Sequence, residues 1–417
     1  MTQKSKRLVV IGGGAAGFFC AVNAARLQPG LEVIILEKTS KVLSKVKVSG
    51  GGRCNVTHAC FSISEMIRRY PRGQHFLKKT FHHFFTTDTI DWFKERGVAL
   101  KKEADGRMFP VTDSSQTVID CLLREVNRYG VEIRMMSEVK SMKYEEAAGA
   151  FRLVLSGDRE LSADFVCVAC GGYPKTAMFD WLLQLGHTIE EPVPSLFTFN
   201  MPGNAVTQLM GVAVPDAQVK IAGSKLVEQG PVLITHWGMS GPAILRLSAW
   251  GARELATQHY RFTAIVNWLP GYNEQRLRDK LQQLRFETAA QKTGNKSPFG
   301  LPQRLWLHLL EQSGINPDTR WADLPAKEQN KLVKNCCAQE FAVNGKTTFK
   351  EEFVTAGGVK LSEIDANTMQ SKLHPGLFFA GEIADVDGVT GGFNFQHAWT
   401  SGFIAAKAIQ ATMQDAG

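Results

Sequence analysis

Two glycine clusters stand close together near the N-terminus: "VIGGGAAGFF", from Val10 to Phe19, and "KVSGGGRCNVTH", from Lys47 to His58. Gly12, Gly14 and Gly17 fall on G-x-G-x-x-G directly after the β-branched apolar run Leu8–Ile11. At a strand-to-helix junction the first such glycine makes a tight turn, and the second lets backbone approach a pyrophosphate. The third lets the helix pack close to the strand. The helix start, with Ala15 and Ala16, turns unpaired N–H groups and the positive end of its dipole toward the phosphates. Glu37 closes the next apolar run, "LEVIILEK", about twenty residues on, where an acid accepts hydrogen bonds from ribose hydroxyls and repels a 2′-phosphate. FAD or NAD therefore fits better than NADP, with Lys38 and Lys45 as further contacts.

The second cluster decides between the two. FAD is longer than its ADP half and needs more backbone donors. Ser49, Gly50, Gly51, Gly52, Arg53, Cys54 and Asn55 supply a bare loop ending in a guanidinium, a thiol and an amide. Near the other end, "LFFAGEIADVDGVTGGFNFQHAW" places Gly381-Glu382 at a strand end, where a ribityl chain is held. Gly391, Gly392, Phe393 and Asn394 lead into a long helix. Its N-terminus would face the flavin N1 and C2 carbonyl, where negative charge develops on reduction. In mid-chain, "DFVCVACGG" reads as a buried strand whose closing turn, with Ala169, Gly171 and Gly172, lies near the cofactor. Val139 is also a candidate contact. The expected cofactor is FAD, non-covalently bound.

Other groups have plainer readings. Cys167 and Cys170 form C-x-x-C within an apolar strand, where residues three apart point to opposite faces, so a buried structural role is expected. Cys336 and Cys337 read as helix residues. Cys54 is a conceivable redox thiol, but Cys60 lacks the spacing of a flavin disulfide pair. His82 and His83 in "FHHFF" read as members of an aromatic packing cluster, and no grouping has convincing metal-ligand spacing. His236 in "THWGMSGPAIL" is a candidate acid or base, and Ser240 lacks a full nucleophile-elbow pattern. Arg107 and Phe109 in "DGRMFP" could orient and pack on a substrate.

The elements that must position these groups follow from the chain as a whole. With 417 residues, more than one domain is expected. The 44% hydrophobic and 21% charged residues describe an ordinary globular protein. No apolar run approaches the ~20 residues that span a bilayer. Eight cysteines without framework spacing suggest reduced thiols and a cytoplasmic address. The formal charge of +8 permits an anionic partner without naming one. The densest basic stretch, Arg68–Thr80, reads as a solvated face.

Six segments, "GGGAAG", "SGGGRCNVTH", "GRMFP", "THWGMSGPAIL", "TAGGVKLSEI" and "GEIADVDGVTGGFNFQHAW", together resemble the BaiN-type (YhiN-like) family of bacterial NAD(P)/FAD-dependent oxidoreductases. The chain departs from that pattern at Thr57-His58 and in "TSKVLSKVKV". The resemblance implies an α/β fold: a Rossmann-like FAD-binding domain built from both chain ends, with an inserted domain having a β-barrel-like part and a helical part. The boundaries are expected at 1–192 and 351–417 for the FAD domain, 193–270 for the β subdomain and 271–350 for the helical one. Strand and helix should alternate to about Glu190.

The implied activity is hydride transfer between flavin N5 and a small organic substrate bound between the domains. Reduction of a conjugated carbon–carbon double bond and amine oxidation are both open. The loop bearing His236 should approach Thr355–Val359, where Gly357 and Gly358 leave room for a ligand. The mid-chain strand lacks a complete glycine fingerprint, so NAD(P)H would bind only transiently at the flavin face. An RNA-modifying flavoprotein is the alternative, motivated by the basic balance and the helical insert. Without an aromatic-interleaved basic stripe or an RNA module, no nucleic-acid partner is expected, and no membrane partner either.

Overall fold

The computed structural model describes residues 5–348 and 354–415. Its central feature is a five-stranded sheet. The strands are β1 (Arg7–Ile11), β2 (Glu32–Leu36), β3 (Glu132–Arg134), β4 (Phe165–Val168) and β5 (Leu377–Phe379). They lie in the order β5-β4-β1-β2-β3, and every neighbouring pair is parallel. Strands buried on both faces need continuous apolar runs, and Leu8–Val10 and Val166–Val168 are fully buried. The mid-chain strand β4 is thus a neighbour of β1 in one sheet, not the start of a second dinucleotide fold.

Helix α1 (Ala15–Leu27) is buried on all sides from Ala16 to Ala25. A helix apolar all round must lie between two layers. The sheet covers one side, and α2 (Phe393–Asp415) the other. Gly402 makes the contact possible, because a Cβ there would sit 2.7 Å from the Ala16 carbonyl oxygen. This pairing of the first helix with the last joins the two chain ends in one unit.

The same unit carries two antiparallel three-stranded sheets. One comprises Thr57–His58, Leu100–Lys102 and Arg107–Pro110; the other Val139–Glu145, Ala150–Leu155 and Glu160–Ala163. They interrupt the expected alternation of strand and helix. The second is a meander, with period-two burial on Ala150–Leu155 and Glu160–Ala163.

Among the described residues, 5–194 and 354–415 form one compact unit and 195–348 a second. The expected return at 351 falls outside the described residues. The second unit is built on a seven-stranded antiparallel sheet. Its two edge strands, Gln339–Asn344 and Lys346–Thr347, are separated only by Gly345. One short connection can serve both edges only if the sheet curls round, which makes it barrel-like. Helices Glu274–Glu287, Gln303–Gln312 and Ala326–Cys337 share a single core with that sheet, including Trp268, Trp306, Trp321 and Phe341. The β stretch 193–270 and helical stretch 271–350 are therefore not separate cores, since Gln339–Asn344 completes the sheet after the helices. No described helix is long and apolar enough to cross a membrane.

Candidate functional site

The three fingerprint glycines stand in three different surroundings. Gly12 has φ +116°, and a Cβ there would lie 2.4 Å from the Ala169 carbonyl oxygen. At Gly17 a Cβ would lie 2.0 Å from the Gly12 carbonyl oxygen, so helix and turn touch through backbone. Gly14, the N-cap of α1, is different. Its φ of −95° and ψ of −171° suit any residue, and nothing in the protein comes within 4 Å of a Cβ built there. Neither conformation nor packing asks for glycine at this point. What remains is open space in front of a helix N-terminus, the place for an anion.

Glu37 sits beside this turn, accepting hydrogen bonds from Gly13 N (3.0 Å) and Thr39 N (2.8 Å). A carboxylate has about four lone-pair sites, so two remain for ribose hydroxyls. Ser137 N donates to the Glu37 carbonyl (2.9 Å), which brings the segment leading to half-buried Val139 alongside. Lys38 lies over the Tyr173 ring at 5.5 Å.

The second glycine loop is tied to the first by Leu43 N donating to Gly13 O at 2.8 Å. The short helix that enters it breaks at Ser49, and Gly50, Gly51 and Gly52 follow with φ of 58°, 69° and 84°. A Cβ on Gly50 would meet the Phe109 ring at 2.7 Å, while Gly51 and Gly52 face open space. The Arg53 guanidinium lies 4.0 Å from the centre of that ring and pairs with Glu103 at 2.6 Å. Cys54 is fully buried and bonded to Ser49, and desolvation pushes its thiol up to about 12. A thiol held neutral in this way is a poor nucleophile, so Cys54 serves the loop and not redox chemistry. The Asn55 amide accepts from Gly392 N (2.9 Å) and donates to Thr57 O (3.0 Å).

The C-terminal segment closes the constellation. Gly381 (φ +74°) packs against Ala16, where its Cβ would stand 2.9 Å from the alanine's. Its N–H donates to Ser401 Oγ (2.8 Å). Glu382 accepts from Thr355 N (2.8 Å) and pairs with Lys45 (2.7 Å). A Cβ on Gly172 would strike Thr355 Oγ1 at 2.4 Å, whereas Gly171 (φ +76°) faces open space. Gly392 abuts the Thr57 carbonyl, and the Phe393 ring stacks on His58 at 4.7 Å. The Asn394 side chain bonds both N and O of Gly388, at 2.7 and 2.9 Å. The first intrahelical bond of α2 runs from Gln396 N to Gly392 O. The N–H groups of Phe393, Asn394 and Phe395 precede it.

Several expectations are corrected. Strand β4 ends at Val168, so Cys170 lies in the turn, where its thiol is hydrogen-bonded to Tyr173; Cys167 is a buried free thiol hydrogen-bonded to that of Cys20. In "FHHFF" the phenylalanines pack, while His82 and His83 are exposed. Gly357 and Gly358 do not leave room for a ligand. A Cβ there would lie 2.5 Å from the Glu191 carbonyl and 2.3 Å from that of Ile383, so backbone fills the space. Arg107 is held by Asp105 (2.7 Å) and Glu103 (3.2 Å), and the cation stacked closely on Phe109 is Arg53. His236 stands in the second unit, exposed at a strand turn, with its ring edge against Trp237.

Sequence reading missed His58 and His397. The His397 ring is buried on α2 with Nε2 3.2 Å from Gly381 O, and burial lowers its pKa to about 4. Nothing in its spacing marks it, since one histidine on an apolar helix face looks like any core residue. Among the described residues no cluster of three or more His, Cys, Asp or Glu could hold a metal.

The residues fit a dinucleotide: open cradles at Gly14, Gly51, Gly52 and Gly171, an acid for ribose, and a lysine at the Gly-Glu turn. The chain is 31% identical over 97% of its length to the ribosomal RNA dihydrouridine synthase of Escherichia coli, covering 98% of that protein. It is 27% identical over 96% to the 3-dehydro-bile acid delta(4,6)-reductase of Clostridium scindens, covering 98% of that protein. Its fold is shared with the 3-ketosteroid-delta4-(5alpha)-dehydrogenase of Rhodococcus jostii at a TM-score of 0.51 and 14% identity, covering 97% of this chain and 98% of that one. Residues 6–408 match the HI0933-like protein Rossmann domain, and the chain belongs to that family.

Proposed function

We propose that this chain holds FAD non-covalently in the glycine cradle and reduces a carbon–carbon double bond conjugated to a carbonyl. The observation behind the cofactor is Gly14, which leaves open space directly before the α1 N-terminus at the second position of the glycine fingerprint. When bound, FAD supplies a two-electron carrier that passes hydride at N5. The α1 N-terminus and Gly14 hold the pyrophosphate, Glu37 the ribose, and Gly381-Glu382 with Lys45 the ribityl region. The free N–H groups at the start of α2 favour negative charge on the ring edge they face. His236, exposed and with its ring edge against Trp237, is the candidate proton donor. NAD(P)H is the proposed reductant class, binding transiently.

The bond type is the chemistry that two relatives have in common. Uridine carries a double bond conjugated to its C4 carbonyl, and a 3-keto-4,6-diene carries one conjugated to C3. A pyrimidine in RNA is the favoured substrate, on the 31% identity and the formal charge of +8. This reading replaces the expectation of no nucleic-acid partner. A small enone is the second reading, on the bile acid relative.

The test is anaerobic. Photoreduced protein is mixed with a ribosomal RNA transcript or with a 3-keto-4,6-diene steroid, and return of oxidised-flavin absorbance identifies the acceptor. Failure of both to reoxidise the flavin would refute the conjugated-bond reading.

A further inference from the structure

We propose that the ridge formed by residues 61–83 docks the phosphate backbone of single-stranded RNA beside the cofactor site, an inference that rests on the RNA reading above. The segment carries five Arg and Lys, three His and one carboxylate, Glu65. One cation, Arg72, is spent internally on buried Asp387. The other four, Arg68, Arg69, Lys78 and Lys79, are exposed, and none forms an ion pair among the described residues. By contrast Arg7, Arg53, Arg96, Arg107 and Arg134 of the same unit are all paired with carboxylates. Unpaired like charges held on short helices repel one another, and a polyanion relieves that repulsion.

The ridge is bolted to the loop that leads into α2. Val389 N donates to Arg69 O at 2.9 Å, and Tyr70 Oη donates to Phe393 O at 2.7 Å. Arg72 and Asp387 meet through backbone as well as side chains, and Gly73 packs on Val386. The backbone from Arg69 to Gly73 is therefore fixed against the loop that leads into α2, with Arg68 before it and Lys78 and Lys79 on the helix Gln74–Thr80 that follows. Arg69 lies near enough to act electrostatically on His58, the ring stacked on Phe393, where Asp105 opposes it and exposed Lys102 adds to it. Phe61, 61% exposed at the head of the ridge, offers a face on which an unstacked base can lie. Cations that track phosphates beside an exposed aromatic are how sequence-tolerant single-strand binders work.

The test titrates FAD-loaded protein into a fluorescein-labelled, uridine-rich single-stranded RNA and reads anisotropy against salt. Four phosphate contacts give a slope of log K on log[salt] of about −2.8, a loss of about 50-fold between 50 and 200 mM. Arg68→Gln with Arg69→Gln should halve the slope to about −1.4, and Lys78→Gln with Lys79→Gln should do the same. Phe61→Ala should weaken binding about tenfold with the slope unchanged. All these positions are exposed, so thermal midpoints and bound-flavin absorbance should match the parent. Unchanged affinity and slope in both double variants would overturn the ridge while leaving the reductase reading standing. Protein that carries no flavin yet binds RNA through these residues would support the ridge and sink the reductase reading. Binding to phosphatidylserine vesicles but not to RNA would also overturn the proposal.

Discussion

Gly14→Val separates the ligand's demand for glycine from the protein's. Backbone at φ −95° and ψ −171° accepts valine, and no protein atom lies within 4 Å of the new Cβ, so the unliganded variant should melt with the parent. The branched side chain would occupy the space in front of the α1 N-terminus. In the parent, FAD at a hundred times its Kd stabilises by about 2.7 kcal/mol. At roughly 2–4 °C per kcal/mol, that is a rise of about 5–11 °C in melting temperature. If valine weakens binding a hundredfold, the same FAD concentration leaves about 0.4 kcal/mol, a shift of about 1 °C. Gly17→Ala is the contrasting control. Its Cβ would fall 2.0 Å from the Gly12 carbonyl oxygen, and overpacking of this kind costs about 3 kcal/mol before any ligand is added. The assay is differential scanning fluorimetry of stripped protein with and without FAD, followed by acid release and chromatography. A Gly14→Val protein that keeps the full FAD shift, or melts early without FAD, would refute the cradle.

Asp387→Asn should destabilise by about 3–5 kcal/mol, read by urea denaturation, because it leaves the Arg72 guanidinium without its buried partner. His397 has a folded pKa of about 4, below its unfolded value of about 6.5, so the unfolded chain takes up the proton first as pH falls. The stability it contributes is present above pH 6.5 and is lost toward pH 4, about 3 kcal/mol in all. His397→Gln should flatten that part of the pH profile of the urea midpoint, and an unaltered profile would show that the proton goes elsewhere. Cys54 should resist a thiol reagent at pH 8 in the folded protein and react on unfolding, as judged by mass spectrometry; fast labelling in the native state would contradict its burial. His236→Ala should keep flavin content and fold, since the ring is exposed, but slow reoxidation by substrate about 10²-fold or more in stopped flow. A parental rate would leave His236 as a turn residue.

Much of the glycine-rich turn and its acid was legible in the residues, because glycine spacing and a distant acid encode local geometry. A turn that must bring backbone to phosphate leaves its mark at fixed offsets, as at Gly12, Gly14, Gly17 and Glu37. Contiguous apolar runs likewise marked β1, β2, β4 and β5 as buried strands. What the sequence could not reveal depends on contacts between distant segments. Gly357 and Gly358 resemble glycines that make room for a ligand, yet the neighbouring backbones of Glu191 and Ile383 occupy that room. Arg107 resembles a free substrate anchor until Asp105 and Glu103 are seen to hold it. The basic run Arg68–Lys79 resembles an ordinary solvated face. Its place beside Gly391–Phe393 is decided by Tyr70, Arg72 and Gly73, which anchor it to a loop more than 300 residues away. Local pattern determines which elements form and where tight glycine turns fall. Which charges stay unpaired is settled only when tertiary packing has assigned each its partner.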